Sequence, residues 1–73
     1  MTLDQLSIGQ SAEIIEVDIQ QVPLKLIDIG CIAGNTVQLL QIAPLRDPLY
    51  LKINDSFFSI RKDLAKLIQV KIC

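Results

Sequence analysis

With 73 residues, the chain has room for one small domain, residues 1–73, and none for a catalytic domain beside a substrate domain. Its apolar content of 51%, against 21% charged residues, belongs to a globular protein and excludes a disordered one. The net charge of −1, with seven Lys and Arg residues interleaved with acids, argues against a nucleic-acid partner, whose phosphates call for a basic excess.

Thr2 is placed to cap a single turn over Leu3 to Leu6, its hydroxyl accepting from the first free amides and Asp4 suiting the positive end, with Gly9 ending the segment. From Ser11 to Ile19, the residues Ile15, Val17 and Ile19 alternate with Glu16 and Asp18, the two-residue period of a half-buried strand. Ile14 beside Ile15 breaks that alternation and predicts a bulge. Pro23 suits the first position of a short helix carrying Leu24, Leu26 and Ile27, and Gly30 suits the left-handed residue just past its end. Gly34 and Asn35 turn the chain into a strand from Thr36 to Ile42, where Val37 and Leu39 alternate and Leu40 predicts a second bulge.

Pro44 and Pro48 bracket Leu45, Arg46 and Asp47 in a loop, because proline cannot donate to a sheet ladder. Leu49, Leu51 and Ile53 alternate with Tyr50 and Lys52 into a turn at Asn54, Asp55 and Ser56, and Phe58 and Ile60 continue beyond it as the second arm of a hairpin. One or two helical turns over Arg61 to Leu67 precede a last strand, in which Ile68, Val70 and Ile72 alternate with Gln69 and Lys71.

The chain is therefore mainly β, with about five short strands and one or two short helices, and a sheet of this size avoids open edges by closing into a small barrel. Surface scaling predicts a folded area of roughly 4,500 Å² and an apolar burial term of about 105–110 kcal/mol, against an ordering cost of about 110 kcal/mol. Tight closure of the sheet, a homo-oligomer or a partner protein would each add to so narrow a margin. No stretch approaches the roughly 18 unbroken apolar residues of a membrane span. The opening Met1, Thr2, Leu3, Asp4 differs from the charged-then-apolar start of a signal peptide, so a cytoplasmic location is expected.

The run Ile29, Gly30, Cys31, Ile32, Ala33, Gly34 resembles the LGxxPG turn of the FeoA family, and Ala43 to Pro48 resembles that family's APxGDP loop. Phe58 to Lys62, followed by Ala65, Ile68 and Val70, is similar to its closing xALRxxxAxxIxV pattern, and Leu3, Leu6, Gly9 and Gln10 are similar to its LxxLxxGQ start. The chain departs from the pattern at Ala33, where the family usually has proline, and at Arg46 and Asp55, where it often has glycine. The resemblance spans Leu3 to Val70 and implies an SH3-like barrel. It also implies an accessory of bacterial ferrous iron transport, with the cytosolic part of the FeoB-type GTPase transporter as partner. Similar domains close iron-dependent repressors, but 73 residues used by the barrel leave none for a helix-turn-helix.

Enzymatic activity is not expected. There is no histidine, and Glu13, Glu16, Asp18, Asp28, Asp47, Asp55 and Asp63 fall at strand faces, turns and helix ends, where solvation or capping outranks catalysis. No cofactor and no metal are expected either. Cys31 and Cys73 read as two free thiols, Cys31 packed as a small hydrophobe; the alternative is a transition-metal-binding protein or metal-responsive regulatory module using them as soft ligands. The expected mode of action is protein binding, and Leu24, Leu45, Arg46, Tyr50 and Phe57 form the candidate contact patch, being apolar or arginine residues at a helix start, in the proline loop or on the outer strand face.

Overall fold

The computed structural model describes all 73 residues. Its elements in chain order are a 3₁₀ turn over Leu3–Gln5, then β1 (Ser11–Val17), α1 (Leu24–Asp28), β2 (Thr36–Ile42), β3 (Leu49–Ile53), β4 (Ser56–Ile60), α2 (Lys62–Ala65) and β5 (Ile68–Ile72). The five strands form one antiparallel sheet in the order β4-β3-β2-β1-β5. Its exposed area of 4574 Å² lies close to the value that chain length predicts.

The core follows the alternation of the strands. Leu49, Leu51 and Ile53 of β3 are buried, as are Val37 and Leu39 of β2 and Ile68 and Val70 of β5. Leu3, Leu6, Val22, Leu26, Cys31 and Ala65 from the turns and helices, with Ala12 and Ile14 of β1 and Ile60 of β4, complete the apolar interior, and no polar or charged residue is buried with them. At the end of β5 the alternation fades, and Ile72 is exposed.

Both predicted bulges are present. The β1–β5 register shifts between Ile14 and Glu16, and the β2–β3 register shifts between Leu39 and Gln41. In β1, however, the inward phase differs from the expected one: Ala12 and Ile14 are buried, Ile15 is 52% exposed, and Ile19 lies beyond the strand in solvent. The bulge is the reason, since an extra residue inverts the alternation on one side of it, and the pairing of Ile14 with Val70 sends Ile14 inward.

The hydrogen-bonded ladder ends at β4 and β5. The outer edge of β5 is covered by the N-terminus, where Thr2 bridges Gln69 and the Val70 N–H donates to the Met1 carbonyl at 2.8 Å. The 3₁₀ turn packs on α2, and α2 joins the two edge strands through seven residues. Thr2 is the N-cap of the 3₁₀ turn as expected, with its N–H donating to Gln5 Oε1 at 2.9 Å as in a capping box, while its hydroxyl donates to the Asp4 carboxylate.

Gly30 sits at φ +107, where a Cβ would meet Asn54 Nδ2 at 3.1 Å and Ile53 Cγ2 at 3.2 Å. Glycine is needed there for both the left-handed backbone and the close approach of the β3–β4 turn. The structure therefore has two ends. α1, Gly30 and the β3–β4 turn share one, and the proline loop, α2 and the 3₁₀ turn share the other.

Candidate functional site

The proline loop is built by local hydrogen bonds. The Arg46 N–H donates to the Ala43 carbonyl at 2.7 Å, closing a turn over Pro44 and Leu45, and the Ala43 N–H donates to the Pro48 carbonyl at 3.1 Å. Arg46 follows the turn at φ +65, in the left-handed region, and the Asp47–Pro48 peptide is cis. A turn followed by one left-handed residue is a common way to join antiparallel strands, and glycine ordinarily fills the left-handed position. Arg46 fills it here.

Asp47 ties the loop to the next layer. Its Oδ1 accepts the backbone N–H of Lys62, the first residue of α2, at 2.9 Å. A carboxylate receiving a first-turn amide satisfies one of the orphan donors of a helix start and suits its positive end. The loop is thereby held at both strand ends and at its middle, with Leu45 at its tip 90% exposed.

Beside the loop lies a shallow groove of about 480 Å³, floored by Leu6, Ile42, Pro44 and Leu49 and rimmed by Asp4, Arg46 and Lys62. The one ion pair in the structure, Arg61 with Asp63 at 3.7 Å, leaves the Arg46 and Lys62 charges without a carboxylate partner. An apolar floor with two unpaired cations fits a protein segment that carries aliphatic and acidic residues.

A second surface lies on the outer face of the β3–β4 hairpin. Leu40, outward beside buried Leu39, joins Tyr50 and Phe57 around a depression of about 380 Å³, and Phe58, opposite buried Leu51 and packed against the core, reaches its edge. The chain has only one tyrosine and two phenylalanines, and all three line this depression. Phe57 is 69% exposed, and the Lys52 ammonium stands 5.6 Å from its ring centroid, within cation–π reach.

Tyr50 and Phe57 are thus brought together, and Leu45 and Arg46 are neighbours in one loop. Leu24 stands apart from both. It is 72% exposed at the start of α1, at the opposite end of the molecule from the proline loop. β2 separates the two ends, and its seven residues span about 23 Å at roughly 3.3 Å each. The sequence does not mark Asp4, Leu6, Asp47 and Lys62 as site residues, because their proximity to the loop depends on how the N-terminal turn and α2 pack. Leu40 and Lys52 were legible in principle, since the hairpin register sets Lys52 opposite Phe57.

Cys31 is fully buried, its N–H donating to the Leu26 carbonyl at 3.0 Å, and Cys73 is exposed; both are free thiols. Burial pushes the Cys31 thiol up from 9.0 to about 11, so the thiolate needed for soft-metal ligation is disfavoured. No group of three or more His, Cys, Asp or Glu side chains gathers anywhere. No helix is long and apolar enough to cross a membrane.

A five-stranded antiparallel sheet bulged in two strands, capped by two short helices and displaying a pinned loop, is a small SH3-like β-barrel. Comparison with known proteins carries the assignment further. A sequence model of the FeoA domain matches residues 1–72. The Fe(2+) transport protein A/Fe(2+) transporter FeoB fusion protein of Porphyromonas gingivalis is 37% identical over 73 residues, which make up 99% of this chain and 9% of that protein. The solution structure of the FeoA protein from Chlorobium tepidum superposes with a TM-score of 0.88 at 31% identity, over 99% of this chain and 70% of that one. The crystal structure of Stenotrophomonas maltophilia FeoA complexed with zinc, described as a prokaryotic SH3 domain protein, superposes with a TM-score of 0.82 at 25% identity, over 97% of this chain and 89% of that one. The chain belongs to the FeoA family, which is involved in ferrous iron transport.

Proposed function

We propose that this protein is a cytoplasmic accessory of ferrous iron transport that acts by docking on the cytosolic part of a FeoB-type GTPase transporter, and that it performs no chemistry of its own. The observation that carries this reading is the Porphyromonas gingivalis relative, in which a segment 37% identical to this chain is joined to a FeoB transporter in one polypeptide. Covalent linkage holds two modules at high effective concentration, which benefits function only where the modules meet.

The geometry supports the proline loop and its groove as the docking surface. A loop held by Pro44, Pro48 and the Asp47–Lys62 hydrogen bond loses little conformational entropy on binding, so Leu45 and Arg46 are presented ready for contact. Tyr50 follows the loop directly in β3 and extends the apolar area, with Phe57 beyond it. A partner that also touches Leu24 would have to reach along the full length of β2.

Transporter pull-down and iron uptake with Leu45→Ala and Arg46→Ala proteins test the reading. Truncating a central contact costs about 2 kcal/mol, roughly thirtyfold in affinity, whereas a rim residue costs less than about 1 kcal/mol. If both folded variants bind and support uptake like the parent, the loop is not the docking site. A parent protein that never associates with a transporter refutes the proposed function itself.

A further inference from the structure

The two edges of the sheet are treated differently. The outer edge of β5 carries Lys71 in its strand and is covered by Met1 and Thr2. The outer edge of β4 is bare, and its sequence, Ser56–Phe57–Phe58–Ser59–Ile60, holds no charge, no proline and no bulge. Natural edge strands are usually guarded against pairing by one of these devices.

The free backbone groups of that edge can be identified. β3 and β4 are joined by the two residues Asn54 and Asp55, so the flanking pair Ile53–Ser56 is a hydrogen-bonded one. Alternation then points the N–H and C=O of Phe57 and Ser59 away from β3. Two such residues, separated by Phe58, form a self-complementary pattern.

We infer that the β4 edge pairs antiparallel with the β4 edge of a second copy of this chain, giving a two-fold symmetric dimer centred on Phe58. In this register Phe57 lies opposite Ser59 of the second copy and exchanges both backbone hydrogen bonds with it, and the symmetric pair repeats this, for four bonds in all. Phe58 faces its own equivalent. The two Phe57 side chains become diagonal neighbours about 7–8 Å apart, which joins the two exposed aromatic faces across the seam.

Charge complementarity favours a second copy as the occupant. The two-fold brings the end of β4 that carries Arg61 toward the β3–β4 turn that carries Asp55 of the second copy, twice by symmetry. Arg61 is exposed, and its own pair with Asp63 is a loose surface one at 3.7 Å. Asp55 has no cation partner within one chain. One five-residue strand edge buries less than the roughly 800 Å² per partner of a stable interface, so the dimer is a weak one.

Sedimentation equilibrium of the purified protein between about 10 µM and 1 mM, free of any transporter, tests the inference. Concentration-dependent dimerisation is expected, weakened at least ~10-fold by Phe57→Lys and several-fold by Arg61→Asp, with thermal melting showing both variants folded. Adding Asp55→Arg to Arg61→Asp reverses both charges and should restore association. Amide exchange at Phe57 and Ser59 should slow as concentration rises. A protein that stays monomeric up to about 1 mM, a charge reversal that restores nothing, or exchange at Phe57 and Ser59 that is independent of concentration would overturn it.

Discussion

Replacing Arg46 with glycine should raise stability and lower partner binding at once. Arg46 holds φ +65. For a residue with a Cβ, left-handed backbone costs about 1–2 kcal/mol, because Cβ crowds the following carbonyl. Glycine removes that cost but frees the unfolded chain, which returns about 0.4–1 kcal/mol. The net expected gain is about 0.5–1 kcal/mol. For a domain of this size, about 4–8 °C accompanies each kcal/mol, so thermal melting should show a rise of about 2–8 °C. Arg46→Ala keeps the strained backbone and should melt near the parent. Both variants lose the guanidinium at the groove rim and should bind the transporter about equally weakly. An Arg46→Gly protein that melts no higher than the parent would refute the account of the loop backbone. A stabilised variant that binds as tightly as the parent would remove Arg46 from the contact surface.

Asp47→Ala removes the acceptor for the Lys62 N–H and should cost about 1 kcal/mol in urea unfolding, with faster exchange of the Lys62 amide. Leu51→Ala empties a fully buried position and should cost about 2–5 kcal/mol, whereas Leu45→Ala at the exposed loop tip should stay within about 0.5 kcal/mol of the parent. The Cys31 thiol is held neutral in the folded state and ionises near 9.0 when unfolded, so its contribution is complete below pH 9 and is lost as pH rises from 9 toward about 11. The loss should total about 3 kcal/mol, appear in urea titrations at those pH values, and be absent from the pH profile of Cys31→Ala.

The local elements were legible in the residues. Alternation located β3 and β5, the proline pair located the loop, and the doubled apolar residues Ile14–Ile15 and Leu39–Leu40 marked both bulges. These features depend on backbone geometry and on neighbours one to four positions away, so they survive without knowledge of the fold. The side of a bulge that turns inward does not. Ile14 and Ile15 are equivalent until β5 pairs with β1, and only that pairing exposes Ile15. Likewise, Leu24 and Leu45 are similar apolar residues near prolines, yet the sheet sets them at opposite ends.

The surface itself was decided by tertiary structure. Nothing local links Asp47 to the amide of Lys62, fifteen residues away, or brings Asp4 and Lys62 to the rim of one groove. Nor does local sequence distinguish β4 from β5 as an edge, since which strand end the N-terminus covers depends on the path of the whole chain. Periodicity and turn chemistry act over a few residues and so determined the strands and loops of this protein. Strand order, the covering of one edge and the assembly of the groove arise from contacts between distant segments, and only the folded chain decides them.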